Sequence, residues 1–173
     1  MTVREIAQIG NPILRQTATP IADPTAPETV ALLQDLRDTL LAFRAQTGYG
    51  RGIAAPQIGV SRRAVFIRMP DGQEFAMVNP AITWRSEETF EVWDACFSYF
   101  TLFFKVRRAR HVKVVYQDTA GVTHEVTASD DLAELMQHEL EHLDGQLAID
   151  LVTDPRTFCS LSEYQKRYEG RPA

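Results

Sequence analysis

Gln137-His138-Glu139-Leu140-Glu141-His142-Leu143 sets two histidines four residues apart, with a glutamate directly after the first. Ser129 stands before this stretch and Asp144-Gly145 after it, which predicts a helix from about Asp130 to Leu143. Asp130, Asp131 and Glu134 then sit near the positive end of that helix, where carboxylates are favoured. Residues four apart lie one above the other on a helix face, so the two imidazoles can share one metal ion. Glu139 follows the first ligand by one residue, so its carboxylate can reach water at the metal without displacing it. The pattern H-E-x-x-H on a helix is that of a metal-dependent hydrolase. A solvated helix with two chance histidines is the alternative, but two of the four histidines in the chain fall here.

Working outward, a hydrolytic site of this kind needs a third protein ligand and an open position. Cys96 is the candidate, in a strand-like run among small and apolar residues; its competing reading is a buried core cysteine. Cys159 lies in a polar tail and is the weaker choice. His111 and His124 fall in a predicted hairpin and read as surface residues.

The remaining chain suits one soluble domain spanning residues 1–173. A chain of 173 residues can bury roughly 70% of its unfolded surface. Its 45% hydrophobic and 24% charged residues are ordinary for a globular protein. A net charge of −5 and a pI near 5.4 argue against a nucleic-acid partner. The densest basic stretch, Lys105-Val106-Arg107-Arg108-Ala109-Arg110, reads as a solvated strand edge. No run of about 18 apolar residues is present, so no membrane partner is expected, and Met1–Ile6 shows no secretory signal. Two cysteines are too few for a disulfide framework, and the expected compartment is the reducing cytoplasm.

Residues 1–25 read as an irregular arm. Val30, Leu32, Leu33, Leu36, Leu40, Leu41 and Phe43 recur at helical spacing and predict a helix from Pro27 to Gln46, with Thr29 as a cap. Gly48-Tyr49-Gly50-Arg51-Gly52 stops it and opens a glycine-rich loop. Predicted strands cover Ala64–Arg68, Glu74–Asn79, Ala81–Arg85 and about Thr89–Phe97. His111–Gln117 and Val122–Thr127 make a hairpin around Asp118-Thr119-Ala120-Gly121, and the polar tail from Asp154 leaves room for a short last helix. The fold class is therefore α+β, a single domain of antiparallel or mixed β-sheets packed around a central metal-binding helix.

At these residues the chain resembles the peptide deformylases, in three places. Their Gly-x-Gly-Φ-Ala-Ala-Pro-Gln loop has its counterpart in Gly50-Arg51-Gly52-Ile53-Ala54-Ala55-Pro56-Gln57. Their Glu-Gly-Cys-Leu-Ser segment corresponds to Asp94-Ala95-Cys96-Phe97-Ser98, and their His-Glu-x-Asp-His-Leu segment to His138–Leu143. Ile9–Arg15, Val78-Asn79-Pro80 and Gly145 also look familial, so the likeness covers roughly residues 4–150. The tail around Asp154-Pro155-Arg156-Thr157-Phe158 looks closer to the mitochondrial-type members.

The resemblance implies Cys96, His138 and His142 as ligands of one divalent transition metal, Fe(II) foremost, with Zn, Ni or Co able to substitute. It implies Glu139 as proton shuttle, and Gln57 with the backbone N–H of Phe97 as donors to the developing oxyanion. Gly50 and Gly52 would let backbone approach the substrate, which would bind by strand addition. Substrate contacts are expected from Gly50, Arg51, Gly52, Ile53, Ala95, Tyr99, Glu134 and Leu135.

The second motif departs from the family at Asp94, Ala95 and Phe97. The run Tyr99-Phe100-Thr101-Leu102-Phe103-Phe104 is compatible with core, with a pocket lining, or with a subunit contact such as a homodimer's. Glu134, one turn before His138, takes a place where the family pocket is apolar, and Arg51 is its candidate partner. Solvent exposure of Glu134 is the alternative. The first functional reading is removal of the N-formyl group from the N-terminal methionine of nascent peptides. The second is hydrolysis of another formamide, a different formylated peptide or a small molecule, in a reshaped pocket. The third is a metal-binding homologue without catalysis, which Glu139 and Gln57 argue against.

Overall fold

The computed structural model describes residues 2–169. Helix α1 runs Pro27–Thr47; strands follow as β1 Gly52–Ala54, β2 Ala64–Arg68, β3 Glu74–Arg85, β4 Thr89–Asp94, β5 Leu102–Ala109, β6 His111–Gln117 and β7 Thr123–Ser129. Helix α2, Asp130–Leu143, comes next, then the two-residue β8 Cys159–Ser160 and helix α3 Leu161–Arg167. Strands β1-β2-β3-β6-β7 form one antiparallel sheet in that order, and β4-β5-β8 form a second.

The larger sheet is packed on both faces where β1 and β2 lie. Ala64 and Phe66 join Leu33, Leu36 and Leu40 of α1 in one apolar cluster, while Val65 and Ile67 join Met136, Leu140 and Leu143 of α2 in another. That alternation is the two-residue period of a strand with both faces covered. A third cluster, with Leu14, Cys96, Tyr99, Phe104 and Val106, fills the space behind the smaller sheet. Helix α2 is buried almost all round from Ala133 to Leu143, and it follows β7 with no linker.

Several expectations need correction. Thr29 does not cap α1; Pro27 opens the helix after Ala26, and the Thr29 hydroxyl donates to the Asp23 carbonyl at 2.8 Å. Glu74–Asn79 and Ala81–Arg85 are one strand, because a register shift absorbs Pro80, which cannot donate to the ladder. Asn79 there has φ +50°, held by its side chain bridging the Ile21 N–H and carbonyl at 2.8 Å each. The fourth strand ends at Asp94, which leaves Cys96 in extended backbone before a short turn, Phe97–Tyr99. The basic stretch is no solvated edge: it lies in β5, the middle strand of the smaller sheet, and the Arg108 side chain is only 1% exposed.

Candidate active site

Helix α2 projects His138 and His142 toward Cys96, and one ligand atom from each lies within 4.8 Å of the others. Cys96 Sγ is 3.3 Å from His142 Nε2. His138 is oriented from behind: its Nδ1 meets Asp94 Oδ1 at 2.8 Å, which turns the other ring nitrogen toward the cluster. Asp94 Oδ2 accepts from Arg108 Nη2 at 2.9 Å, and Arg108 also bonds Glu141. Burial opposes ionisation of Asp94, but His138 and Arg108 outweigh it and hold the carboxyl well below the usual range. For His142, burial and the neighbouring His138 push the imidazole toward its neutral form, as a metal ligand requires. A thiol and two imidazoles converging in a buried site suit Fe(II), Zn, Ni or Co and not Mg or Ca.

Glu139 is buried beside the cluster, and its Oε2 has no hydrogen-bond partner among the described residues. Burial pushes its carboxyl up to about 7. Its place is defined by Gly52: a Cβ there would come within 2.5 Å of Glu139 Oε1. Gly50, at φ +113°, has the same relation to Phe97, whose ring would lie 2.4 Å from an added Cβ. Both glycines therefore make room for the site's own side chains. Gln57 is fixed by the Ala54 N–H, which donates to its Oε1 at 2.9 Å. Its Nε2 is thereby aimed at Cys96 Sγ, 3.3 Å away, and at Ser98 Oγ, 3.4 Å away.

These groups open onto a cavity of about 270 Å³. Of the residues expected to touch substrate, Gly50, Arg51, Gly52, Ala95, Glu134 and Leu135 line it. Ile53 and Tyr99 do not. The Ile53 side chain is fully buried against α1, and Tyr99 packs on Phe104 in the cluster behind the smaller sheet. Glu134 does not face solvent: it is 4% exposed and accepts from Arg51 at 2.8 Å, while Arg51 also reaches Asp131 at 2.5 Å. Burial and Asp94 push Glu134 up to about 6, with Arg51 opposing. His111, His124 and Cys159 lie outside the cluster, as expected.

Tyr49, Trp93, Tyr164 and Glu169 also line the cavity and were not expected there, and Phe100 and Phe103 line it too, from a run for which pocket lining was one of three readings. The signal available in sequence was the run Tyr99–Phe104, whose Phe100 and Phe103 face the cavity while Tyr99 and Phe104 join the core.

The sequence pattern of the family described as polypeptide deformylase matches residues 3–157. The chain belongs to that family. It is 38% identical to peptide deformylase 2 of Clostridium perfringens over 87% of this chain and 93% of that one. It is 37% identical to the peptide deformylase of Pseudothermotoga lettingae over 91% and 87%. Among solved structures, the peptide deformylase of Thermotoga maritima superposes with a TM-score of 0.82 at 29% identity, covering 89% of this chain and all (100%) of that one. The Met-Ala-Ser-bound class I type b enzyme of Acinetobacter baumannii gives 0.80 at 29% identity, over 87% and 99%. The α+β architecture built around α2 is thus a deformylase fold, and the Cys–His–His cluster is a candidate for this family's metal centre.

Proposed function

We propose that this chain is a metal-dependent amide hydrolase that removes the formyl group from the N-terminal methionine of nascent peptides. The observation that carries the reading is the grouping of Cys96, His138 and His142, two of which (Cys96 and His138) line the cavity together with Glu139 and Gln57. Cys96, His138 and His142 would hold one divalent ion, Fe(II) first. When bound, that ion polarises the formyl carbonyl and makes water a nucleophile at neutral pH. Glu139 takes a proton from the attacking water and hands it to the leaving amine, so formate and a free N-terminus depart. The Gln57 Nε2–H and the Phe97 N–H donate to the carbonyl oxygen as negative charge builds on it. Asp94 keeps His138 in register through Nδ1.

All five side chains come from one chain, so the site needs no second subunit, and residues 1–173 are read as one catalytic domain. Among the described residues no helix is long and apolar enough to cross a membrane. Work on nascent chains fits the cytoplasm.

The test is deformylation of formyl-Met-Ala-Ser by iron-loaded protein. Glu139→Ala should keep its metal and lose turnover by ~10²–10⁴-fold. A variant with near-normal rate would sink the mechanism. A second reading, action on another formamide, is favoured by one observation: the Arg51–Glu134 ion pair stands in the cavity wall beside Cys96 and His138. Comparing kcat/KM for formyl-Met and formyl-Lys peptides separates the two readings.

A further inference from the structure

The family match ends at residue 157, but the cavity does not. Helix α3 starts at Leu161, and its Tyr164, with Glu169 just past its end, lines the cavity that holds Cys96, His138 and Glu139. Rings hold the helix there. Tyr164 stacks on Phe103 with centroids 4.2 Å apart and planes 16° apart, and meets Trp93 edge-on at 5.5 Å. Across the opening, the Tyr49 hydroxyl bonds Glu169 and accepts from Gln165 Nε2 at 3.1 Å. The Tyr49 ring lies edge-on to Phe100 at 5.6 Å. No residue of α3 is itself buried, so the aromatic residues beneath it place the helix, and the helix in turn walls the cavity.

The cavity therefore has two unlike halves. Beside the ligand cluster it is polar, with Arg51, Glu134 and Glu139; toward α3 it is aromatic, with a single carboxylate, Glu169, at the rim. Edge-to-face and offset contact between rings is favourable beyond simple burial. We propose that the aromatic half is a subsite for the side chain following the formylated residue, that it selects a large apolar and above all aromatic side chain, and that Tyr164 is its specificity-determining residue. This rests on the deformylase reading, since a formyl group at the ligand cluster is what directs the rest of the substrate toward α3. Glu169 at the rim disfavours an acidic residue at the same place.

The test measures affinity, not turnover, using the full zinc-loaded chain and the product peptides Met-Phe-Ser, Met-Gly-Ser and Met-Glu-Ser by calorimetry. Wild type should bind Met-Phe-Ser about tenfold more tightly than Met-Gly-Ser, the effect of burying most of a ring. Met-Glu-Ser should bind most weakly. Tyr164→Ala should bring the first two within about twofold, chiefly by weakening Met-Phe-Ser, while Tyr164→Phe should keep the preference because it keeps the ring. The proposal is overturned by equal wild-type affinities for the Phe and Gly peptides, by no measurable binding of either, or by a preference that survives Tyr164→Ala. Turnover of formyl-Met-Gly-Ser by the iron-loaded chain is a separate arm: its absence removes the deformylase reading, while the affinities decide the subsite.

Discussion

Gly52 is where the smallest change has the most specific consequence. A methyl group there would sit 2.5 Å from Glu139 Oε1, closer than real Cβ contacts come. The Glu139 carboxylate would have to swing away while Cys96, His138 and His142 stayed in place. Gly52→Ala should therefore lower kcat by at least tenfold with metal content unchanged. Glu139→Ala removes all three of the crowded atoms, Oε1, Cδ and Cγ, so adding Gly52→Ala in that background should cost little of the residual turnover. Equal losses in both backgrounds would show that Gly52 acts on something other than Glu139. The pairing of His138 and His142 was legible in the sequence because helix periodicity dictates that positions four apart share a face. The service of Gly52 to Glu139 was not, because it depends on how closely β1 approaches α2.

At the scale of elements, two ion pairs tie α2 to its neighbours, and they act differently. Arg108 of β5 is enclosed between Asp94 at the end of β4 and Glu141 on α2. Replacing it with Leu would leave two carboxylates in a buried site, a change that typically costs ~3–5 kcal/mol. It would also free Asp94 from one of its two partners, and loss of such support typically weakens metal binding ~10–100-fold. Denaturant titration and metal competition would report the two effects, and an Arg108→Leu protein with wild-type stability would contradict them. Sequence alone read this strand as a solvated edge because three arginines in six positions look like surface, and only the strand's central place shows otherwise.

The Arg51–Glu134 pair is instead partly open to the cavity, with the Arg51 side chain 31% exposed. Its polar surface is a poor match for a thioether, so Arg51→Ile with Glu134→Ile should raise kcat/KM for formyl-Met peptides. Burying a methionine side chain is worth ~1.5–3 kcal/mol where the wall accepts it, or roughly ten- to a hundredfold. No improvement would mean that the substrate's first side chain lies elsewhere. The helical position of Glu134 was readable in advance. Its pairing with Arg51 was a choice between alternatives until the loop and the helix were placed together.

At the scale of the whole molecule, the candidate metal cluster draws its residues from two different layers of the fold. Cys96 follows β4 of the smaller sheet, and the two histidines belong to the helix packed on the larger one. An ion bound only by the folded chain stabilises it by mass action, roughly 4 kcal/mol at a thousandfold excess over Kd. For a domain of this size that is about 8–16 °C in Tm. Stripping the metal should lower Tm by an amount of that order, readdition should restore it, and Cys96→Ala should abolish the shift. A Tm indifferent to metal would mean that the cluster is not a metal site. The broad architecture was accessible from the sequence through its turn residues and its strand and helix periods. The wall contributed by α3 was not, since residues 161–167 carry few apolar side chains and owe their position to rings donated by β4 and β5.

Cys96 is 3% exposed, and it meets solvent at the wall of the substrate cavity. Cysteine is the one residue of the candidate trio that peroxide converts stepwise to sulfur acids. Oxidant and substrate must enter by the same mouth. Product peptide should therefore also slow peroxide modification of Cys96, a difference that mass spectrometry of chains treated with and without Met-Ala-Ser would read. The working lifetime of each molecule would then lengthen with how continuously it is supplied.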